Sequence, residues 1–183
     1  MVGKGRHPIL GVWSPDPVLS TVAPIGLAAS VGTALVVDLV SSPTGGARTL
    51  ADIVAEGPKL SELSPARTGI ALLAGGRVAP ESAFELLDQL ARNWPALVVR
   101  LPEATREVAG VPVIPLYPGR LAPVALPNPG VWQPVGGGSD PPGPGPVMPP
   151  LRQGTIRRLL SGQLPRRNRW ISAWRPIWEM PWA

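Results

Sequence analysis

The chain has 183 residues, a formal net charge of +5 and 44% apolar residues, enough for one packed domain with length to spare. It contains no cysteine and a single histidine, His7, which excludes disulfides, thiolate metal sites and a cysteine nucleophile and leaves little to build a zinc site or a Ser–His–Asp triad. The 26 prolines and 21 glycines exceed what helices and strands accommodate, so part of the chain reads as linker.

In chain order, residues 1–7 hold Lys4, Arg6 and His7, a flexible lead-in with no signal-peptide core behind it. Residues 8–13 are a short apolar strand. Residues 18–30 read as a helix stopped by Gly32, with Pro24 expected to kink or split it. Residues 33–40 (TALVVDLV) are the clearest strand, apolar on both faces, as in a parallel sheet covered by helices. The apolar stretch 18–40 is broken by Pro24, Gly26, Gly32 and Asp38, so it reads as helix, turn and strand rather than a membrane span.

Thr49 can cap a short helix over residues 50–56, and residues 60–63 offer one more turn. A third strand covers 68–73. Pro80 and Glu81 suit the start of a helix running to Trp94, with Phe84, Leu87, Leu90, Ala91 and Trp94 as its apolar stripe. Residues 96–101 (ALVVRL) form a fourth strand. Residues 111–116 read as a fifth, confined to an edge or not a strand at all because of Pro112 and Pro115. The alternation predicts an α/β fold with a small, mostly parallel sheet over residues 1–118. Residues 111–150 then hold 13 of the 26 prolines, and residues 119–150 read as a Pro/Gly-rich linker. Residues 151–183 form a basic tail with seven arginines, one acid and four tryptophans.

Several landmarks fall in a consistent order. A strand runs into Ser14-Pro15-Asp16-Pro17-Val18-Leu19-Ser20-Thr21; a second carries Leu35-Val36-Val37-Asp38; Leu72–Gly76 precedes Pro80-Glu81; and Ala96–Pro102 includes Arg100. Over about 100 residues this resembles the front half of a ParA/MinD-type (SIMIBI class) P-loop ATPase. The family's phosphate loop reads Lys-Gly-Gly-x-Gly-Lys-Thr-Thr, and here its glycines and lysines are gone. Ser14, Ser20 and Thr21 remain. Asp16 sets a negative charge where phosphates would lie, and Pro17 removes an N–H donor. Asp38 fits the family's first acid and is expected to hydrogen-bond locally. Arg100 replaces a carboxylate that assists magnesium, a task a cation cannot perform. The resemblance thus implies a P-loop-like fold that is not an enzyme, with no nucleotide, metal or other cofactor. An active ATPase with an unconventional loop is the least favoured alternative.

In the tail, Trp170, Trp174, Trp178 and Trp182 recur every four residues behind Arg166, Arg167 and Arg169, while Pro176 and Pro181 forbid a regular helix to the end. Arginine with tryptophan suits a protein pocket, an anionic membrane surface or stacked bases, favoured in that order; a fourth outcome is a tail folded over the chain's own sheet. The expected function is a non-catalytic adaptor or positioning factor. It would be cytoplasmic, at a membrane or within a larger complex, and would take a protein partner such as a related ATPase. The alternative is a structural component of an assembly, held by its proline-rich arm and Trp tail.

Overall fold

The computed structural model describes residues 9–40, 48–59, 62, 65, 68–76, 78, 80–103, 107–108, 110–119, 130–135, 145–164 and 167–182. His7, residues 60, 61 and 63, the linker residues 120–129 and 136–144, and Arg166 therefore carry expectations that lie outside the described residues.

Strand β1 (Ile9–Trp13) leads into helix α1 (Pro17–Ala29), β2 (Ala34–Asp38), α2 (Leu50–Glu56), β3 (Ile70–Ala74), α3 (Pro80–Ala91) and β4 (Leu97–Arg100). Then come β5 (Glu107–Val108), β6 (Val111–Pro118), β7 (Val131–Gln133), α4 (Gln153–Leu160), α5 (Arg169–Ser172) and a 3-10 turn, Arg175–Glu179. The strands form one sheet in the order β3-β2-β4-β1-β6, with β5 and β7 each paired to β6. All of these pairings are parallel except that of the two-residue β5. The α/β class and mostly parallel sheet expected from the sequence are present.

Register divides the core into two. Leu10 pairs with Val98 and Val98 with Val36; Val12 pairs with Arg100 and Arg100 with Asp38. Side chains at paired positions of parallel strands share a face. Leu10, Val12, Val36 and Val98 accordingly meet Val22, Ala23 and Leu27 of α1, while Leu35, Val37, Leu97 and Val99 meet Ile53 of α2 and Leu87 and Leu90 of α3.

Local chemistry sets the helix starts. Asp16 accepts a hydrogen bond from the Leu19 N–H at 2.8 Å and Pro17 occupies the first turn of α1. Thr49 and Asp52 form a reciprocal capping box on α2, and the bond from the Thr49 backbone N–H holds the Asp52 carboxyl below the usual carboxylate range. Gly57, at φ 81°, then ends α2 in a backbone region open to glycine.

Three expectations are corrected. Pro24 does not split α1, which runs through it. Pro24 is itself buried, with Val22, Ala23, Gly26, Leu27 and Ala28, and packing on several sides offsets the lost backbone bond. Residues 111–116 are no sheet edge, because β6 pairs with β1, β5 and β7. Each of its prolines falls at the end of a ladder: Pro112 opposite β5, Pro115 opposite Trp13 of β1 and Pro118 opposite Gln133 of β7, where a missing donor is tolerated. The described parts of 119–150 are also more than linker. Val131–Gln133 joins the sheet, the Trp132 N–H donates to the Pro146 carbonyl at 2.9 Å, and the Met148 N–H donates to that of Trp132 at 2.7 Å.

The tail completes the core. Trp170, Trp174, Trp178 and Trp182 are 2%, 0%, 1% and 7% exposed and belong to the same cluster as Leu10, Val98 and α1. Trp170 and Trp174 meet edge to face, 5.4 Å between ring centres, against Gly26, where any Cβ would run into both rings. The Trp178 indole N–H lies 3.2 Å from both the Leu27 carbonyl and Ser30 Oγ, and that of Trp182 donates to the Ile177 carbonyl at 2.7 Å. The tryptophans expected to anchor a partner thus have their rings packed on the outer side of α1. This is the fold-back outcome, and residues 1–118 do not carry the whole core.

Candidate functional site

In an open parallel sheet the place for a ligand is the crevice beyond the carboxyl ends of the strands, where neighbouring connections diverge. Here α1 leaves β1 on one face, whereas α2 and α3 lie on the other. The segment Ser14–Thr21 sits at that end, beside the last residues of β2 and β4, Asp38 and Arg100.

Register brings Asp38 and Arg100 side by side on the α1 face. Arg100, 9% exposed, donates from Nη1 to Asp38 Oδ2 at 2.9 Å and from Nε to Ser20 Oγ at 3.0 Å. Asp38 Oδ1 accepts from the Val40 N–H at 2.9 Å. The local hydrogen bond expected of Asp38 is thus present, joined by an ion pair with Arg100 that the sequence reading missed. That pair needs β2 and β4 to be neighbours, and 62 residues separate the partners.

The other loop residues are occupied with building the turn. Buried Ser14 accepts at Oγ from the Asp16 N–H at 3.3 Å, Asp16 caps α1, and Thr21 Oγ1 donates to the Pro17 carbonyl at 2.8 Å. Pro17 has no N–H to offer. Ser14, Asp16, Pro17, Ser20, Thr21, Asp38 and Arg100 are therefore gathered at one end of the sheet, as an arrangement that binds to itself. A carboxylate caps the helix terminus where an anion would otherwise bind, and a guanidinium fills the space below it. Among these seven described residues the polar side chains are thus engaged with one another or with local backbone. No group of three or more His, Cys, Asp or Glu able to hold a metal ion occurs among the described residues.

Replacing Arg100 with Met is expected to lower stability by about 2–4 kcal/mol, because it leaves the Asp38 carboxylate under α1 without this cation. Adding Asp38→Leu should restore most of the loss, since the apolar pair no longer asks for desolvation of a lone charge. Urea unfolding of the two variants measures this; equal losses would show that Arg100 acts by packing alone.

Two cavities open nearby. A groove of about 490 Å³ runs from Asp16, Val18 and Leu19 past Val135 to Leu151 and Ile156, mostly apolar in lining. A smaller one, about 300 Å³, is lined by Arg152, Arg167, Asn168, Arg169, Trp170 and the Pro149-Pro150 pair. Arg167 and Arg169 of the expected partner-binding set thus come together, while Arg166 lies outside the described residues. The sequence reading missed Arg152 and Gln133. Gln133 lies inside the proline-rich stretch, yet it is buried and holds the Trp170 indole N–H at 2.6 Å. At the far edge of the sheet Leu72 of β3 is 64% exposed.

Among protein-family models none matches the chain, and neither the curated proteins nor the solved structures give a significant match. No helix among the described residues is long and apolar enough to cross a membrane.

Proposed function

We propose that the chain is a non-catalytic adaptor on a P-loop-NTPase-like frame, resembling the front half of a ParA/MinD-type ATPase. The observation that carries this reading is Arg100, tied to Asp38 and Ser20 at the end of the sheet where nucleotide and magnesium would be handled. A cation locked in an ion pair cannot serve a metal, and Asp16 on the first turn of α1 repels phosphates. The order of landmarks along the sequence and the parallel sheet around β1 support the same frame.

A protein partner is then reached along β3. Among the described residues this strand ends the sheet; it reads IALLA and leaves Leu72 on the α1 face largely uncovered. An apolar edge strand with no charge of its own is open to pairing with an extended segment of another chain. The reading as an arm extended into a larger assembly has less support, since β7 pairs within the chain's own sheet and Met148 and the tail tryptophans lie in its core.

Calorimetry with ATP and magnesium is expected to show no saturable heat up to millimolar nucleotide. Micromolar binding that disappears in Ser20→Ala/Thr21→Ala would overturn the non-catalytic reading. Leu72→Lys should abolish capture of the protein partner while leaving the melting temperature unchanged; capture at full strength by that variant would move the docking surface away from β3.

A further inference from the structure

The smaller cavity has a lining unlike the rest of the molecule. Arg152, Arg167 and Arg169 share its wall, all three exposed, and no ion pair to any of them occurs among the described residues. The tail contains one acid, Glu179, against seven arginines, and Glu179 does not line the cavity.

Beside these arginines the backbone is fastened by partly buried polar bonds. Asn168 Oδ1 accepts from the N–H groups of Trp170 at 2.9 Å and Ile171 at 3.1 Å, and its Nδ2 donates to Thr155 Oγ1 of α4 at 3.0 Å. The segment bearing Arg167 and Arg169 is thereby held against the helix that Arg152 precedes. Gln133, which lies outside this cavity's lining and is 1% exposed, accepts from the Trp170 indole at 2.6 Å and donates to the Pro149 carbonyl at 3.1 Å. Pro149, Trp170 and Asn168 are thus fixed relative to one another before any ligand arrives, which lowers the ordering entropy of binding.

Three arginines lining one space carry like charges that repel each other, and the planar fork of a guanidinium matches the oxygens of phosphate. A volume of about 300 Å³ also leaves room for whatever carries the phosphate, since it reaches the lower end of small-molecule pockets.

We propose that this cavity is an anion site that takes a phosphate-bearing ligand, a phosphomonoester or diphosphate, with Arg152, Arg167 and Arg169 as its contacts. The site lies in the tail and is independent of the nucleotide-like end of the sheet.

The test uses the full chain with two probes that separate the possible sources. Inorganic pyrophosphate, followed by calorimetry, stands for a soluble phosphorylated ligand. Phosphatidylcholine vesicles with and without phosphatidylinositol phosphate, followed by co-sedimentation, stand for a lipid headgroup. Binding in either arm is expected to saturate and to weaken by about tenfold or more in Arg152→Gln/Arg167→Gln/Arg169→Gln. Arg157→Gln/Arg158→Gln/Arg175→Gln removes the same charge outside the cavity and should weaken it by no more than about threefold. If the first triple variant fails to fold, Arg167→Gln alone is compared with Arg157→Gln, and the same ordering is expected. Absence of saturable binding in both arms overturns the proposal. Equal losses in the cavity set and the control set also overturn it, because the attraction is then a diffuse positive surface.

Discussion

Trp174→Ala is expected to destabilise the protein by about 3–5 kcal/mol, the range for emptying a buried aromatic site. The melting temperature should fall by on the order of 10 °C for a chain of this size. Trp174 is 0% exposed, lies against Trp170, and is one of the side chains that cover α1. Trp178→Ala should do comparable harm, because its indole N–H sits 3.2 Å from the Leu27 carbonyl and from Ser30 Oγ, and both acceptors lose that donor. Calorimetry or thermal circular dichroism of each variant decides the matter. A tail that serves only a partner would leave the transition of the isolated chain unmoved, and that result would contradict the burial described above.

Val98→Asp is expected to abolish the cooperative transition altogether. Val98 is 0% exposed and pairs with Leu10 on one side and Val36 on the other, under α1. A carboxylate there has no cation in its register row; Arg100 is two residues further along and already engaged by Asp38. An unpaired buried charge costs several kcal/mol even after relaxation, against a total stability of about 5–15 kcal/mol. Amide exchange on the unaltered protein should agree, with β1, β2 and β4 the slowest elements. Strand β3, partly exposed along its whole length, should exchange faster than these three. A normal thermal transition for Val98→Asp would mean that β4 is not central.

What could be read from the sequence was what neighbouring residues decide among themselves. Helix α2 begins and ends as predicted because Thr49 and Asp52 cap it and Gly57 stops it. Strand β4 was visible as a β-branched apolar run, and the start of α3 at Pro80 follows from proline at a first turn. What escaped was whatever depends on distant partners. Arg100 and Asp38 meet only once β2 and β4 lie side by side. The prolines of β6 looked prohibitive because ladder ends cannot be located without the pairing strands. Gln133 sat in a stretch whose composition promised only linker.

The destination of the tail did leave a signal, in α1 rather than in the tail. Its sequence PVLSTVAPIGLAA is apolar around most of its circumference, and a helix of that kind must be covered on its outer side as well as against the sheet. A free tail would have left that surface in water. The spacing of the tryptophans drew attention to outside partners, while the need for an internal one was written 150 or so residues earlier.

The same closure has a consequence for how the protein is made. Trp178 lies 151 residues beyond the Leu27 carbonyl that faces its indole. At roughly 5–20 residues per second a ribosome needs on the order of 8 to 30 s to add that stretch. Until it has done so, the outer side of α1 has no cover, and Leu19, Val22 and Leu27 belong to a core that cannot close. Nascent chains should therefore pass through that interval as clients for chaperones that hold apolar segments. A ribosome halted before Trp170 should yield a product that aggregates rather than a smaller, stable domain.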